Sequence, residues 1–257
     1  MHIAFTWIGG ATWILDIEGI RIACDPVLCP AGTVQNYTFF SSKRLNEPVF
    51  TETAFQDIDL WLITHGHEDH LDQAGSTHIQ PEATVITHHN ALKKLQQAGL
   101  QKIVVLQWRE QQSYDMKGKQ IAIEAIPAIH GVNPLVAWLA GGVNGYWITV
   151  QDPECSVSFY ITGDTVLHRN VLRTLQGRPV DILIPNMGAV KQKSWMGALT
   201  LSAAMLRKLM ALLQPKYCIP VHFGTFEHYI EPISTVETQG NAPIVILKPG
   251  QTYTIVL

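Results

Sequence analysis

Three histidines and an aspartate fall within six residues in the segment Thr64-His65-Gly66-His67-Glu68-Asp69-His70-Leu71-Asp72, directly after the apolar run Leu60–Ile63. Imidazole and carboxylate together suit zinc, manganese or iron, and no thiolate lies nearby in the chain. In an extended loop, residues 65, 67 and 69 point one way and His70 the other, so one short segment could serve two neighbouring metals. Gly66 lets the backbone turn closely between the first two histidines. A solvated histidine-rich loop is the plain alternative. Histidines at positions 0, +2 and +5 with an aspartate at +4, all after a buried strand, make it a poor account.

Three more residues of ligand type sit at the ends of apolar runs elsewhere. His130 follows Ile121–Ile126 through Pro127-Ala128-Ile129, Asp164 follows Val157–Ile161, and His222 follows Tyr217–Val221. A strand end is where a rigid scaffold can hold a ligand. Each alone could be a satisfied polar residue at a strand edge; beside the first motif they read as a set. His228, in Phe226-Glu227-His228-Tyr229, is a candidate to protonate a leaving group or touch substrate; otherwise it is an ordinary exposed histidine. His88 and His89 directly follow a strand and read as surface residues, and His2, His78 and His168 receive no role. Lys191, Lys193 and Arg169 are the cations that could meet a phosphate on a substrate. The loop Pro185–Leu199, with Met187, Trp195 and Met196, reads equally as a site wall or a solvated loop.

The elements that must position these residues begin as short strands: Ile3–Ile8, Thr12–Ile17 and Ile20–Cys24, the last two joined by Glu18-Gly19 as a hairpin. From Pro26 to about Asp57 no periodicity survives, and Tyr37, Phe39 and Phe40 argue against disorder. A loop this long is either a lid over a site or a packed Ω-loop. Strands are expected at Asp59–Thr64, Ala83–Thr87, Lys102–Leu106, Gln120–Ile126, Val136–Leu139, Tyr146–Val150 and Val157–Thr162, with a helix over Asn90–Ala98 before Gly99. The second half alternates: helix Val166–Gln176, strand Val180–Ile184, helix Leu201–Leu213, strand Tyr217–Pro220, then strands Ile244–Leu247 and Thr252–Val256. No linker or composition shift divides the chain, so a single domain over residues 1–257, with sheets covered by helices, is expected.

Composition narrows the function classes. Of 257 residues, 47% are apolar and 15% charged, as in a globular protein, and the formal charge is −3. No run of Lys or Arg exceeds two, so neither nucleic acid nor an anionic membrane surface finds an obvious cationic footprint. The N-terminus lacks the basic region of a signal peptide, and no apolar run reaches the roughly 18 residues of a membrane span. A cytoplasmic protein acting on a small molecule is expected, with homo-oligomerisation left open. Cys24, Cys29, Cys155 and Cys218 form no C-x-x-C pair and read as reduced thiols, although Cys24 and Cys29 could in principle bridge.

The order His65-x-His67-x-Asp69-His70, His130, Asp164, His222 resembles the ligand set of the metallo-β-lactamase superfamily. Trp7-Ile-Gly-Gly-Ala-Thr, Cys24-Asp25-Pro26, Gly163-Asp164-Thr165, Met196-Gly197 and His222-Phe-Gly-Thr are similar to the branch with ascorbate-6-phosphate lactonase and N-acylphosphatidylethanolamine phospholipase D. Where many relatives of that branch carry His, this chain has Gly10. The resemblance implies an α/β fold, an αββα sandwich of two mixed sheets flanked by helices. It implies two divalent ions, zinc first, with manganese or iron compatible. His65, His67 and His130 would hold one ion, and Asp69, His70 and His222 the other. Asp164 would bridge them, and Asp25 would orient ligands from beneath. Two such ions acidify a shared water, and the hydroxide, aimed by Asp69, attacks a carbonyl carbon or phosphorus. The implied activity is hydrolysis of a small ester, lactone or phosphodiester. The competing readings are a flavo-diiron-like redox protein, against which His67 stands where such proteins carry Glu, and an RNase Z-like nuclease, against which the acidic charge stands.

Overall fold

Strict alternation of buried and exposed positions along the start of β1 (His2–Gly9) sets the tone of a computed structural model that describes residues 1–37, 40–190, 195, 197–236 and 243–257. The described residues group into two compact units. The first comprises Met1–Leu106, Thr225–Glu227 and Leu247–Leu257, and the second Gln107–Gly224 and His228–Ile246.

In the first unit, β1 pairs antiparallel with β2 (Thr12–Ile17), and β2 with β3 (Ile20–Cys24). The hairpin read from Glu18-Gly19 is present: Ile17 faces Ile20, and both loop residues take positive φ, 50° and 89°. That double left-handed turn matches the twist of the flanking strands. From β3 the sheet continues in parallel through β6 (Leu60–Ile63), β7 (Thr84–Thr87) and β8 (Lys102–Val105), and β15 (Thr252–Val256) closes its other edge against β1. All four residues of β6 are buried, as expected of a central parallel strand covered on both faces. Ile14, Ala23, Trp61, Ile63 and Val85 pack with Leu28, Phe55, Leu71, Leu95 and Leu100 into one apolar cluster. The stretch after Pro26, read as a lid or a packed Ω-loop without periodicity, contains a small hairpin, β4 (Val34–Asn36) with β5 (Ser41–Lys43). Phe39 lies outside the described residues, and Tyr37 stacks on Phe40 with ring centroids 4.7 Å apart. Short helices α1 (Gln73–Ser76) and α2 (Leu92–Gln97) complete the unit.

The second unit carries a six-stranded sheet in the order β14-β13-β12-β11-β10-β9. Strands β9 (Gln111–Met116), β10 (Lys119–Ala128), β11 (Val143–Gln151) and β12 (Ser156–Ile161) are antiparallel, whereas β13 (Ile182–Ile184) and β14 (Tyr217–Cys218) join in parallel. Helices α3 (Pro134–Ala140), α4 (Arg169–Leu175) and α5 (Ala203–Leu213) belong to this unit, so both sheets are mixed and the class is α/β.

The structure corrects three local expectations. Val136–Leu139 is not a strand but the body of α3: Asn133 accepts from the backbone N–H groups of Leu135 and Val136, Pro134 occupies the first turn, and Gly141 ends the helix at φ 86°. Leu135 and Trp138 face solvent at 60% and 75% exposure, so the helix has apolar residues on its outer face and no amphipathic period to read. The capping signals decided it. Ile244–Leu247 contributes only a single bridge, Ile244 to Cys218. Strand β9 was not expected, because its sequence Gln-Gln-Ser-Tyr-Asp-Met is that of a polar edge strand. No helix of the described residues is long and apolar enough to cross a membrane, and Cys24, Cys29, Cys155 and Cys218 are all free thiols.

Candidate metal centre

Each unit places polar residues at the carboxyl ends of its parallel strands, where open α/β sheets put their ligands. In the first unit, β3 ends at Cys24 and delivers Asp25, while its neighbour β6 ends at Ile63 and delivers Thr64 and His65. In the second, β12 delivers Asp164, β13 delivers Asn186, and the chain beyond β14 delivers His222. His130 follows the long antiparallel strand β10.

The first unit's donors are locked by a hydrogen-bond chain that begins at Asp25, a buried residue in the left-handed region at φ 42°. Its Oδ1 accepts from the backbone N–H of Thr64 at 2.7 Å, and its Oδ2 from the Thr64 hydroxyl at 2.6 Å and from His70 Nδ1 at 2.7 Å. A carboxylate only accepts, so His70 carries its proton on Nδ1 and its lone pair on Nε2. The Thr64 proton is committed to Asp25, so the Thr64 oxygen receives the His65 Nδ1 proton at 3.0 Å, and His65 likewise bears its lone pair on Nε2. His65 Nε2 lies 2.9 Å from His67 Nδ1. Asp69 and His70 bring ligand atoms within 4.8 Å of each other. Asp69, like His65 and His70, is buried.

Gly66 works by close approach rather than by its backbone angle. A Cβ there would stand 3.0 Å from the Asn90 carbonyl oxygen and 3.1 Å from Ala91 Cα. The Gly66 N–H donates to Asn90 Oδ1 at 3.2 Å, so Asn90 anchors the ligand loop. Neighbouring His88 accepts from the Asn90 N–H through Nδ1, and burial lowers its pKa below the ordinary histidine value. His89 is exposed.

In the second unit, the same logic fixes both histidines. His130 Nδ1 donates to the Leu199 carbonyl at 3.0 Å and His222 Nδ1 to the Met187 carbonyl at 3.1 Å, leaving each lone pair on Nε2. Those two Nε2 atoms face opposite oxygens of Asp164: His130 lies 3.6 Å from Oδ2 and His222 3.5 Å from Oδ1. Both distances are long for a hydrogen bond. They approach the roughly 3.3–3.4 Å that separates two ligands held about 2.0–2.1 Å from one ion at tetrahedral angles. Asn186 Nδ2 donates to Asp164 Oδ1 at 3.0 Å and orients the carboxylate. His222 sits at φ 63°, a backbone state that costs energy in a non-glycine residue and is held here by its surroundings. Gly163, before Asp164, has φ 57°, and a Cβ there would meet the Asn144 carbonyl at 2.6 Å.

The donor chemistry therefore fits divalent cations. Four imidazoles present Nε2 lone pairs because their Nδ1 protons are engaged, and buried carboxylates gather negative charge that a cation neutralises. Asn186, Asn90 and Thr64 were missed by sequence reasoning. Asn186 carried a readable signal, since it follows the apolar run Ile182–Ile184 as Asp164 follows β12. His228 is 1% exposed, not an exposed surface histidine; its ring contacts Tyr229, whose ring lies 4.0 Å from that of His222. Arg169 is exposed at the start of α4. Lys191, Lys193 and Met196 lie outside the described residues.

Comparison with known proteins gives a consistent picture. A family model described as a beta-lactamase superfamily domain matches residues 4–222. The N-acyl-phosphatidylethanolamine-hydrolyzing phospholipase D 1 of Caenorhabditis elegans is 24% identical over 242 residues, covering 88% of this chain and 67% of that protein. A UPF0173 metal-dependent hydrolase of Methanopyrus kandleri is 26% identical over 256 residues, covering 96% of this chain and 98% of its own. Among solved structures, a possible metal-dependent hydrolase from Veillonella parvula shares the fold, with a TM-score of 0.80 at 20% identity over 99% of this chain and 100% of that one.

Proposed function

Because the chain belongs to the beta-lactamase superfamily, we propose that its donors act as one dinuclear centre that hydrolyses a small ester, lactone or phosphodiester. The chain is a metal-dependent hydrolase of that superfamily with a His/Asp cluster able to bind metal. In the proposed centre, His65, His67 and His130 would hold one ion, Asp69, His70 and His222 would hold the other, and Asp164 would serve both. Zinc suits this set, and manganese and iron are compatible. The observation that carries the reading is that Nδ1 of His65, His70, His130 and His222 each lies 2.7–3.1 Å from an oxygen, which turns Nε2 into the ligating atom.

Divalent ions held there supply Lewis acidity and lower the pKa of a coordinated water. The chain's own residues do the rest. Asp69 accepts a hydrogen bond from the attacking water and aims it. Asp25 keeps His70 in its ligating tautomer, and Asn186 holds the Asp164 carboxylate in place. His228, buried beside Tyr229, delivers the proton that the leaving group needs. Among substrates, the phosphodiester is favoured by the similarity to the nematode N-acyl-phosphatidylethanolamine-hydrolyzing phospholipase D 1. The test is metal analysis of the purified protein, with turnover of bis-p-nitrophenyl phosphate, acyl esters and lactones before and after chelation. Metal at or near two per chain, with chelator-sensitive turnover of the diester, is expected. A metal-free protein, or turnover indifferent to chelation, overturns the reading.

A further inference from the structure

We infer that Gln35 and Tyr37, on the hairpin β4–β5, are positioning residues for the metal-binding loop 65–70, acting through the main chain of Glu68. The inference rests on the proposed metal-binding role of that loop.

The pattern along β4 is exposed, buried, exposed, and the one inward residue is an amide rather than an apolar side chain. Gln35 is only 6% exposed. A buried amide is costly unless both of its ends are satisfied. Here both are. Gln35 Nε2 donates to the Glu68 carbonyl at 2.7 Å, and Gln35 Oε1 accepts from the Tyr37 hydroxyl at 2.7 Å. The Glu68 carbonyl can only accept, so the amide has one orientation, and Tyr37 must be the donor at its other end.

Glu68 stands between His67 and Asp69, and fixing its carbonyl fixes the peptide plane that leads from Glu68 into Asp69. The Tyr37 ring meets His67 edge-on, with centroids 6.3 Å apart at 86°. On the side-chain side, Glu68 Oε1 takes Lys94 Nζ at 2.5 Å, and Lys94 also donates to the Leu71 carbonyl. The loop is thus gripped through its main chain by Gln35 and through a side chain by Lys94. The hairpin itself has a firm base. Arg44, fully buried, donates from Nη1 to the Val27 carbonyl and from Nε to the Asn46 carbonyl, and its backbone pairs with Thr33 and Gly32. Residues that hold ligands in register from outside the coordination sphere typically change metal affinity by about 10–100-fold when removed.

Three variants separate positioning from simple stability. Gln35→Met keeps the volume and drops the bonds to Glu68 and Tyr37 together with the longer contact to Cys29 Sγ at 3.6 Å; Gln35→Glu keeps the acceptor for Tyr37 but turns an acceptor toward the Glu68 carbonyl; Tyr37→Phe keeps the ring and drops only the hydroxyl. Zinc affinity is read by competition with a chromophoric chelator, the cobalt-substituted visible spectrum reports ligand geometry, and thermal unfolding of the metal-free protein reports stability. The expected result is zinc affinity lower by about tenfold in both Gln35 variants and by less in Tyr37→Phe, with altered cobalt bands. The metal-free midpoint of Tyr37→Phe should fall less than that of Gln35→Met, because only one hydrogen bond is lost. Should Gln35→Met fail to fold without metal, Gln35→Glu and Tyr37→Phe carry the test. Wild-type affinity and cobalt spectra in the variants, with or without a lower metal-free midpoint, overturn the positioning role while leaving the metal centre standing. A wild-type protein that takes up no metal removes both.

Discussion

The Asp25 carboxylate accepts the Nδ1 proton of His70 at 2.7 Å while its other oxygen receives the Thr64 backbone N–H, so one side chain at the end of β3 sets the ligand loop at the end of β6. Asp25→Asn is the informative change, because asparagine tolerates the left-handed backbone found here at φ 42°. The amide brings two donor hydrogens where only acceptors fit, so it must face either His70 Nδ1 or Thr64 with the wrong group. Zinc affinity should fall by about 10–100-fold. Stability of the metal-free protein should drop by about 1–3 kcal/mol, the cost of a buried donor left unsatisfied. Metal titration and denaturant unfolding measure the two effects separately, and unchanged affinity would contradict the orienting role.

His67 is half-buried and has no part in the apolar cluster of its unit. His67→Ala should therefore remove both metal and hydrolysis and leave the far-ultraviolet circular dichroism unchanged. Retained hydrolysis in a variant shown to lack metal would count decisively against the mechanism.

Asn186→Ala takes away the donor to Asp164 Oδ1, while the Asn186 backbone N–H keeps its bond to the Thr162 hydroxyl at 2.9 Å. The carboxylate can then rotate away from its His130 and His222 neighbours. Turnover should fall by about tenfold or more, in line with loss of an outer partner of a metal ligand. A kinetic comparison at saturating zinc checks this, and an unaltered rate would mean that Asp164 is held by other contacts.

Much of the candidate centre was legible because its donors follow a simple rule: a polar residue shortly after an apolar run marks a strand end. That rule singles out His65, His130, Asp164 and His222 as candidates, and Asn186 obeys it too. Gln35 and Asn90 were not legible, since their roles depend on long-range contacts to the main chain of Glu68 and Gly66. Helix α3 was hidden for a different reason. Val136–Leu139 has no charged residue to mark an outer face, and the helix start rests on the Asn133 cap and Pro134 ahead of that run.

The thiols give a pH prediction whose sign follows from burial. Cys24 and Cys218 are pushed well above the usual thiol range by desolvation, and Cys29 is pushed up to about 11, by burial first and then by Asp72. The native state keeps these protons, whereas the unfolded chain releases them above about pH 8.5. Their contribution to stability is therefore complete below that pH and is lost as pH rises, through about 11 for Cys29. Near pH 8 Cys29 is therefore held as the thiol rather than the thiolate. A disulfide reagent should label Cys155, the one cysteine that is not buried, in the native protein, and the other three only after unfolding. Fast labelling of Cys29 under native conditions would be the contrary result.

His228 yields the sharpest kinetic test, because a general acid and a packing residue leave different traces. Its ring lies 4.5 Å from that of Tyr229, which in turn lies 4.0 Å from the ring of His222. As a general acid, His228 matters most when the leaving group is a poor one, an alkoxide that must be protonated as the bond breaks. His228→Gln should then slow diesters or esters with alkyl leaving groups by about 10²–10⁴-fold. The loss should be far smaller with p-nitrophenol, which departs without help, and metal content should stay at the wild-type value. If His228 only supports the Tyr229–His222 contact, both substrate classes slow equally and metal is lost in proportion. The slope of rate against leaving-group pKa, measured in wild type and variant at full metal occupancy, separates the two roles: steeper in the variant for an acid, parallel for a packing residue.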